Sequence, residues 1–136
     1  MTHPLSYIIN FPPDLDVRLV IDDEETDGAD GLVQVYVNGH WGAICGDDFG
    51  DLEADAVCYN VGFDKASEVH HSATELYNSW PDRVFLENFD CFKCDYYYGG
   101  CYSMSDCDYE SLEDYSCLSY DYVGVECDDG GSSDCK

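Results

Sequence analysis

The most regular alternation of apolar and polar positions lies between Gly31 and Asp48, GLVQVYVNGHWGAICGDD, where two apolar-rich runs flank Asn38-Gly39. Both central residues of a type I′ turn need positive φ, which Asn and Gly tolerate. The stretch therefore reads as a β-hairpin with Val37 facing His40 and Tyr36 facing Trp41. In that register Val33 lies opposite Ile44. Val33, Val35, Val37 and Ile44 share one face, and Tyr36, Trp41 and Cys45 share the other. Both faces are largely apolar, and a two-stranded hairpin is marginal by itself, so further strands and a helix must cover it.

The flanking periodicities supply candidates. Val17, Leu19 and Ile21 alternate along Asp16–Ile21 as in a half-buried strand. Asp22–Asp30, DDEETDGAD, has no apolar period and reads as a solvated loop. After the hairpin, Asp51 caps a helix with Glu53 and Asp55 in its first turn and Gly62 placed to end it. Ala54, Val57, Cys58 and Val61 recur on one face of that helix, which packs on the sheet. Asp64–Asp82 is polar and reads as a long surface connection; Arg83–Asp90 and Tyr122–Cys127 read as strands. Ahead of all this, Leu5, Tyr7, Ile8, Ile9 and Phe11, closed by Pro12-Pro13, form an arm suited to an added edge strand or to docking.

Nine cysteines in 136 residues change the picture: they favour a disulfide framework made in an oxidising compartment, hence an extracellular protein. The opening residues lack a basic n-region and a long apolar run, so the numbering is expected to start at a mature or trimmed product. No stretch approaches the length of a membrane span, so no membrane insertion is expected. Thirty acidic against five basic residues give a net charge of -25, which disfavours nucleic acids, sulfated polysaccharides and anionic membranes as partners of the bare protein. Cations and basic surfaces are the counterparts that remain.

No serine-histidine-acid order, phosphate loop or zincin motif occurs, and no catalysis is expected. His70-His71 is a weak metal motif, because neighbouring residues on a strand point to opposite faces. Cys91, Cys94, Cys101 and Cys107 have the residue types of a four-thiolate zinc site or of two disulfides.

VRLV, then the hairpin's G-x-V-x-V-Y-x-x-G-x-W-G-x-x-C, then ADAVCYNVGF, then F-L-E-N-x-x-C and G-V-E-C follow one another in this order. Together they resemble a scavenger receptor cysteine-rich domain of group A type, over roughly Asp16 to Cys127. The intervals Cys45–Cys58, Cys107–Cys117 and Cys117–Cys127 match the family pattern as well. The resemblance implies an α+β fold, a curved antiparallel β-sheet cradling one main helix, with disulfides Cys45–Cys117, Cys58–Cys127 and Cys91–Cys107. Cys94 and Cys101 lie in an enlarged Cys91–Cys107 interval and are expected to pair with each other. Cys135 is left over, for an intermolecular bond or a free thiol. The chain then divides into an arm (1–15), the domain (16–127) and an acidic tail (128–136).

The same resemblance implies a non-enzymatic protein-interaction module and a calcium site. By position, Asp47, Asp48 and Asp121 match the family's first cation site, and Glu87 and Asn88 a second. Gly46 stands where the family usually has an acid, Phe49 where it has tryptophan, and Asp121-Tyr122-Val123-Gly124 where Glu-Asp-Ala-Gly is usual. The competing reading is a structural or matrix protein whose acidic, tyrosine-rich surface assembles with copies of itself.

Overall fold

The computed structural model describes residues 16–37, 39–46, 49–81, 83–91, 107–111 and 121–128; for 85–90 and 108–111 the backbone alone is described. Strands β1 (Val17–Ile21), β2 (Glu24–Glu25), β3 (Asp30–Val37) and β4 (His40–Ile44) precede helix α1 (Asp51–Asn60). Strand β5 (Lys65–His70), the single-turn helix α2 (Thr74–Tyr77), and strands β6 (Val84–Asp90), β7 (Asp108–Ser111) and β8 (Gly124–Asp128) follow. One mixed sheet runs β2-β1-β3-β4-β6-β7, with β8 joining β3 and β5. All ladders are antiparallel except β4–β6, which is parallel, pairing Ala43 with Val84 and Ile44 with Leu86.

The hairpin has the expected register, Tyr36 opposite Trp41 and Val37 opposite His40, and Gly39 takes φ 87. The Tyr36 and Trp41 rings lie 5.0 Å apart, and the Arg18 guanidinium sits 4.2 Å above Trp41. Both apolar faces are covered, as a marginal hairpin requires. On one side Leu19, Val33, Val35 and Ile44 pack with Phe49, Ala54, Val57 and Cys58 from α1 and the turn before it. On the other, Val20, Leu32, Ala43 and Cys45 pack with Ala73 and Tyr77 around α2.

Helix α1 begins one residue earlier than expected, at Asp51 itself, the residue read as its cap. Gly50 is the N-cap, and the Glu53 carboxylate accepts the Gly50 N–H at 2.8 Å. The other oxygen of Glu53 accepts the Cys91 N–H at 2.7 Å, so this buried acid joins the helix start to the end of β6. The helix ends at Asn60 with Val61 as its C-cap, and Gly62 takes φ 103. Disulfides Cys58–Cys127 and Cys91–Cys107 pin α1 to β8 and close the segment between β6 and β7. Cys45 is disulfide-bonded too. Cys117, Cys94, Cys101 and Cys135 lie outside the described residues, as do the arm and most of the tail.

Two expectations are corrected. The polar run after α1 is not one long surface connection: it holds β5, paired with β8, and then α2. Its KASEVH sequence carries polar groups toward both faces, so the chain shows no apolar alternation, and the backbone ladder with β8 supplies the order instead. The acidic stretch after β1 is likewise not a plain loop. Asp22 and Asp23, at φ 58 and 61, form a two-residue turn that pairs Ile21 with Glu24. Their carboxylates then accept the Asn78 side-chain N–H and the Trp80 N–H, each at 2.8 Å, fastening the turn that follows α2.

Tyr77 is buried beneath β8 and donates its hydroxyl to the Val125 carbonyl at 3.4 Å. Burial raises the pKa of this hydroxyl above its ordinary 10.0, and the charges of Asp30, Glu126 and Glu68 push it further the same way. A raised folded-state value means that the neutral phenol stabilises the fold below about pH 10 and that this contribution fades as pH rises further. Urea titrations between pH 9 and 11 are expected to show stability falling, with a shallower fall in Tyr77→Phe; equal slopes would refute the assignment.

Candidate cation site

The hairpin's second strand delivers its last residues to the point where β3 and β4 separate and the segment before β8 enters between them. Val33 donates its N–H to the Val123 carbonyl at 3.0 Å, and Val123 donates to Ile44 at 3.3 Å. Cys45 bridges Tyr122, and the Gly46 N–H reaches the Asp121 carbonyl at 2.7 Å. Asp121 is thereby held beside Gly46, the residue directly before Asp47 and Asp48 in the chain.

A Cβ at position 46 would meet the Asp121 carboxylate, so any larger residue there requires that carboxylate to move. The Asp121 carboxylate has partners of its own: Oδ1 accepts the Ser72 N–H at 2.8 Å, and Oδ2 lies 2.9 Å from His71 Nδ1. The far side of that imidazole, Nε2, lies 3.1 Å from the Phe49 carbonyl.

Asp47 and Asp48 lie outside the described residues. Glu87 and Asn88 lie on β6, whose Leu86 is level with Ile44 of β4, one residue before Cys45. Backbone pairing thus carries Asp121 to the loop that begins at Gly46 and sets β6 alongside the strand leading into it. His71 and Ser72 were missed in the sequence. The histidine pair was visible, but its use depends on β5 ending at His70, so that His71 turns toward Asp121 while His70 stays on the strand.

The sequence model of the Scavenger receptor cysteine-rich domain matches residues 23–128. The chain belongs to the scavenger receptor cysteine-rich family. It is 32% identical over 117 residues to lysyl oxidase homolog 2 of Xenopus laevis, covering 86% of this chain and 14% of that protein. It is 29% identical over 97 residues to the macrophage receptor MARCO of Mus musculus, covering 71% and 17% respectively. The chain thus spans about a seventh of the length of the curated relatives it matches. Among solved structures, the third scavenger receptor cysteine-rich domain of murine neurotrypsin is similar at TM-score 0.61 and 28% identity, over 84% of this chain and 96% of that one. The dimeric form of the mouse MARCO domain has the same fold at TM-score 0.54 and 22% identity, over 92% and 99%. Domains of this family are extracellular interaction modules of secreted and cell-surface proteins, and this one is placed with them. Among the described residues, no helix is long and apolar enough to cross a membrane.

Proposed function

We propose that this domain is a non-enzymatic recognition module that holds calcium between the loop of Asp47 and Asp48 and the loop of Asp121, and uses the ion to bridge to oxygen donors of a partner protein. The observation that carries the reading is the seating of Asp121 against Gly46, one residue before the acidic pair. Calcium takes six to eight oxygen ligands, and three carboxylates with nearby carbonyls are suitable donors. On a chain of charge -25, gathering acids without a cation costs stability that binding restores. Glu87 and Asn88 are the donors proposed for a second, neighbouring ion.

Calorimetry with calcium on the native sequence and on Asp47→Ala combined with Asp121→Ala tests this. Binding heat and a calcium-dependent rise in melting temperature are expected for the first and not for the second; identical behaviour would remove the site. Size exclusion in calcium and in chelator separates the competing class: a heterotypic binder stays monomeric in both, whereas calcium-driven oligomers would replace this reading with self-assembly.

A further inference from the structure

A second group of ligand-type side chains lies on the β3–β8–β5 part of the sheet. Asp30 of β3 is directly opposite Glu126 of β8, and Glu126 is directly opposite Glu68 of β5. Directly opposed residues share a face, so three carboxylates stand in one row across three strands, where like charges destabilise pairing. His70, two residues beyond Glu68 and hence on the same face, is the basic group that meets them. Its Nε2 lies 2.8 Å from Glu126 Oε2 and 3.6 Å from Glu68 Oε1. All three donor atoms fall within 4.8 Å of one another.

We propose that Glu68, His70 and Glu126 form a binding site for a zinc-type divalent transition ion. A tetrahedral zinc with ligand bonds of about 2.0–2.1 Å needs donor atoms about 3.3 Å apart, and the two His70 separations bracket that value. The ion takes the position between the imidazole and the carboxylates; the neutral imidazole binds through Nε2 and keeps its proton on Nδ1, and any proton carried on Nε2 is released to solvent. An imidazole with two carboxylates selects zinc, copper or nickel over calcium, which prefers oxygen alone. This site is therefore distinct in chemistry from the one proposed around Asp121.

The frame is built in advance. The three ligands sit on two paired strands, not on loops. Opposite His70 stands Gly124, where any Cβ would strike the Tyr77 ring. That ring fills the space and meets the imidazole edge-on, with centroids 6.1 Å apart. The open side faces solvent: Glu68 is exposed, leaving a fourth position for water or for a ligand atom from a partner.

Zinc chloride titrated calorimetrically into chelator-stripped protein should bind one equivalent per chain. Affinity should fall at least tenfold in His70→Ala and in Glu126→Gln, and a tenfold excess of calcium should not displace the zinc. Glu68→Gln, at an exposed position, provides a variant expected to keep its fold, and it should weaken zinc severalfold. In the native sequence, zinc should shift the His70 imidazole resonances ahead of those of the other histidines. Absence of zinc binding, unchanged affinity in Glu68→Gln and Glu126→Gln, displacement by calcium, or an unshifted His70 would each overturn the proposal. None of these outcomes depends on whether the Asp47–Asp121 site binds calcium.

Discussion

Replacing Cys58 and Cys127 together by alanine is expected to cost about 4 kcal/mol of folding stability, enough to threaten the fold at physiological temperature. The bond joins residues 69 positions apart and ties the buried face of α1 to the last strand, so reduction frees a long loop of the unfolded chain. The Cys91–Cys107 bond spans only 16 positions, and its removal should cost about 3 kcal/mol by the same chain-entropy reasoning. Urea denaturation of the two double variants checks the order. A smaller loss for Cys58–Cys127 than for Cys91–Cys107 would show that local packing, not loop closure, governs these crosslinks.

Glu53→Ala is expected to destabilise the fold strongly although it removes a polar side chain. The carboxylate is buried and accepts from two backbone donors, Gly50 at the start of α1 and Cys91 at the end of β6. Leaving a buried N–H unmatched costs roughly 1–3 kcal/mol, so losing both acceptors should cost about 3 kcal/mol, beyond any loss at the helix dipole. Glu53→Gln should recover part of this, since its amide has one acceptor oxygen for two donors. Faster hydrogen exchange at the Gly50 and Cys91 amides should accompany the loss. A stability within 0.5 kcal/mol of the native sequence would refute the role given to this acid.

Local physics made the organising elements readable. The hairpin register followed from Asn38-Gly39 and from period-two alternation, both properties of neighbouring residues. Helix α1 announced itself by Ala54, Val57 and Cys58 at helical spacing and by Gly62 beyond its end. Cysteine number pointed to disulfides, but which cysteines pair was implied only by the family resemblance, since spacing alone leaves many connectivities open. Glu53 was legible as a first-turn acid facing the dipole; its second acceptor bond, to Cys91, joins residues 38 positions apart and left no local trace.

What the tertiary structure alone decided is the company each polar group keeps. Strand β5 is polar along most of its length, so nothing in its own pattern separates it from a loop; its register with β8 makes it a strand and lines up Glu68, His70 and Glu126. Asp121 is marked by its position in a motif, yet its contacts with Ser72 and His71, and its close approach to Gly46, arise only because the chain before β8 inserts between β3 and β4. Apolar periodicity reports which side of an element is buried, and the sequence carried that much. Hydrogen-bond partners dozens of residues apart depend on how the ladders meet, and only the assembled sheet determined them.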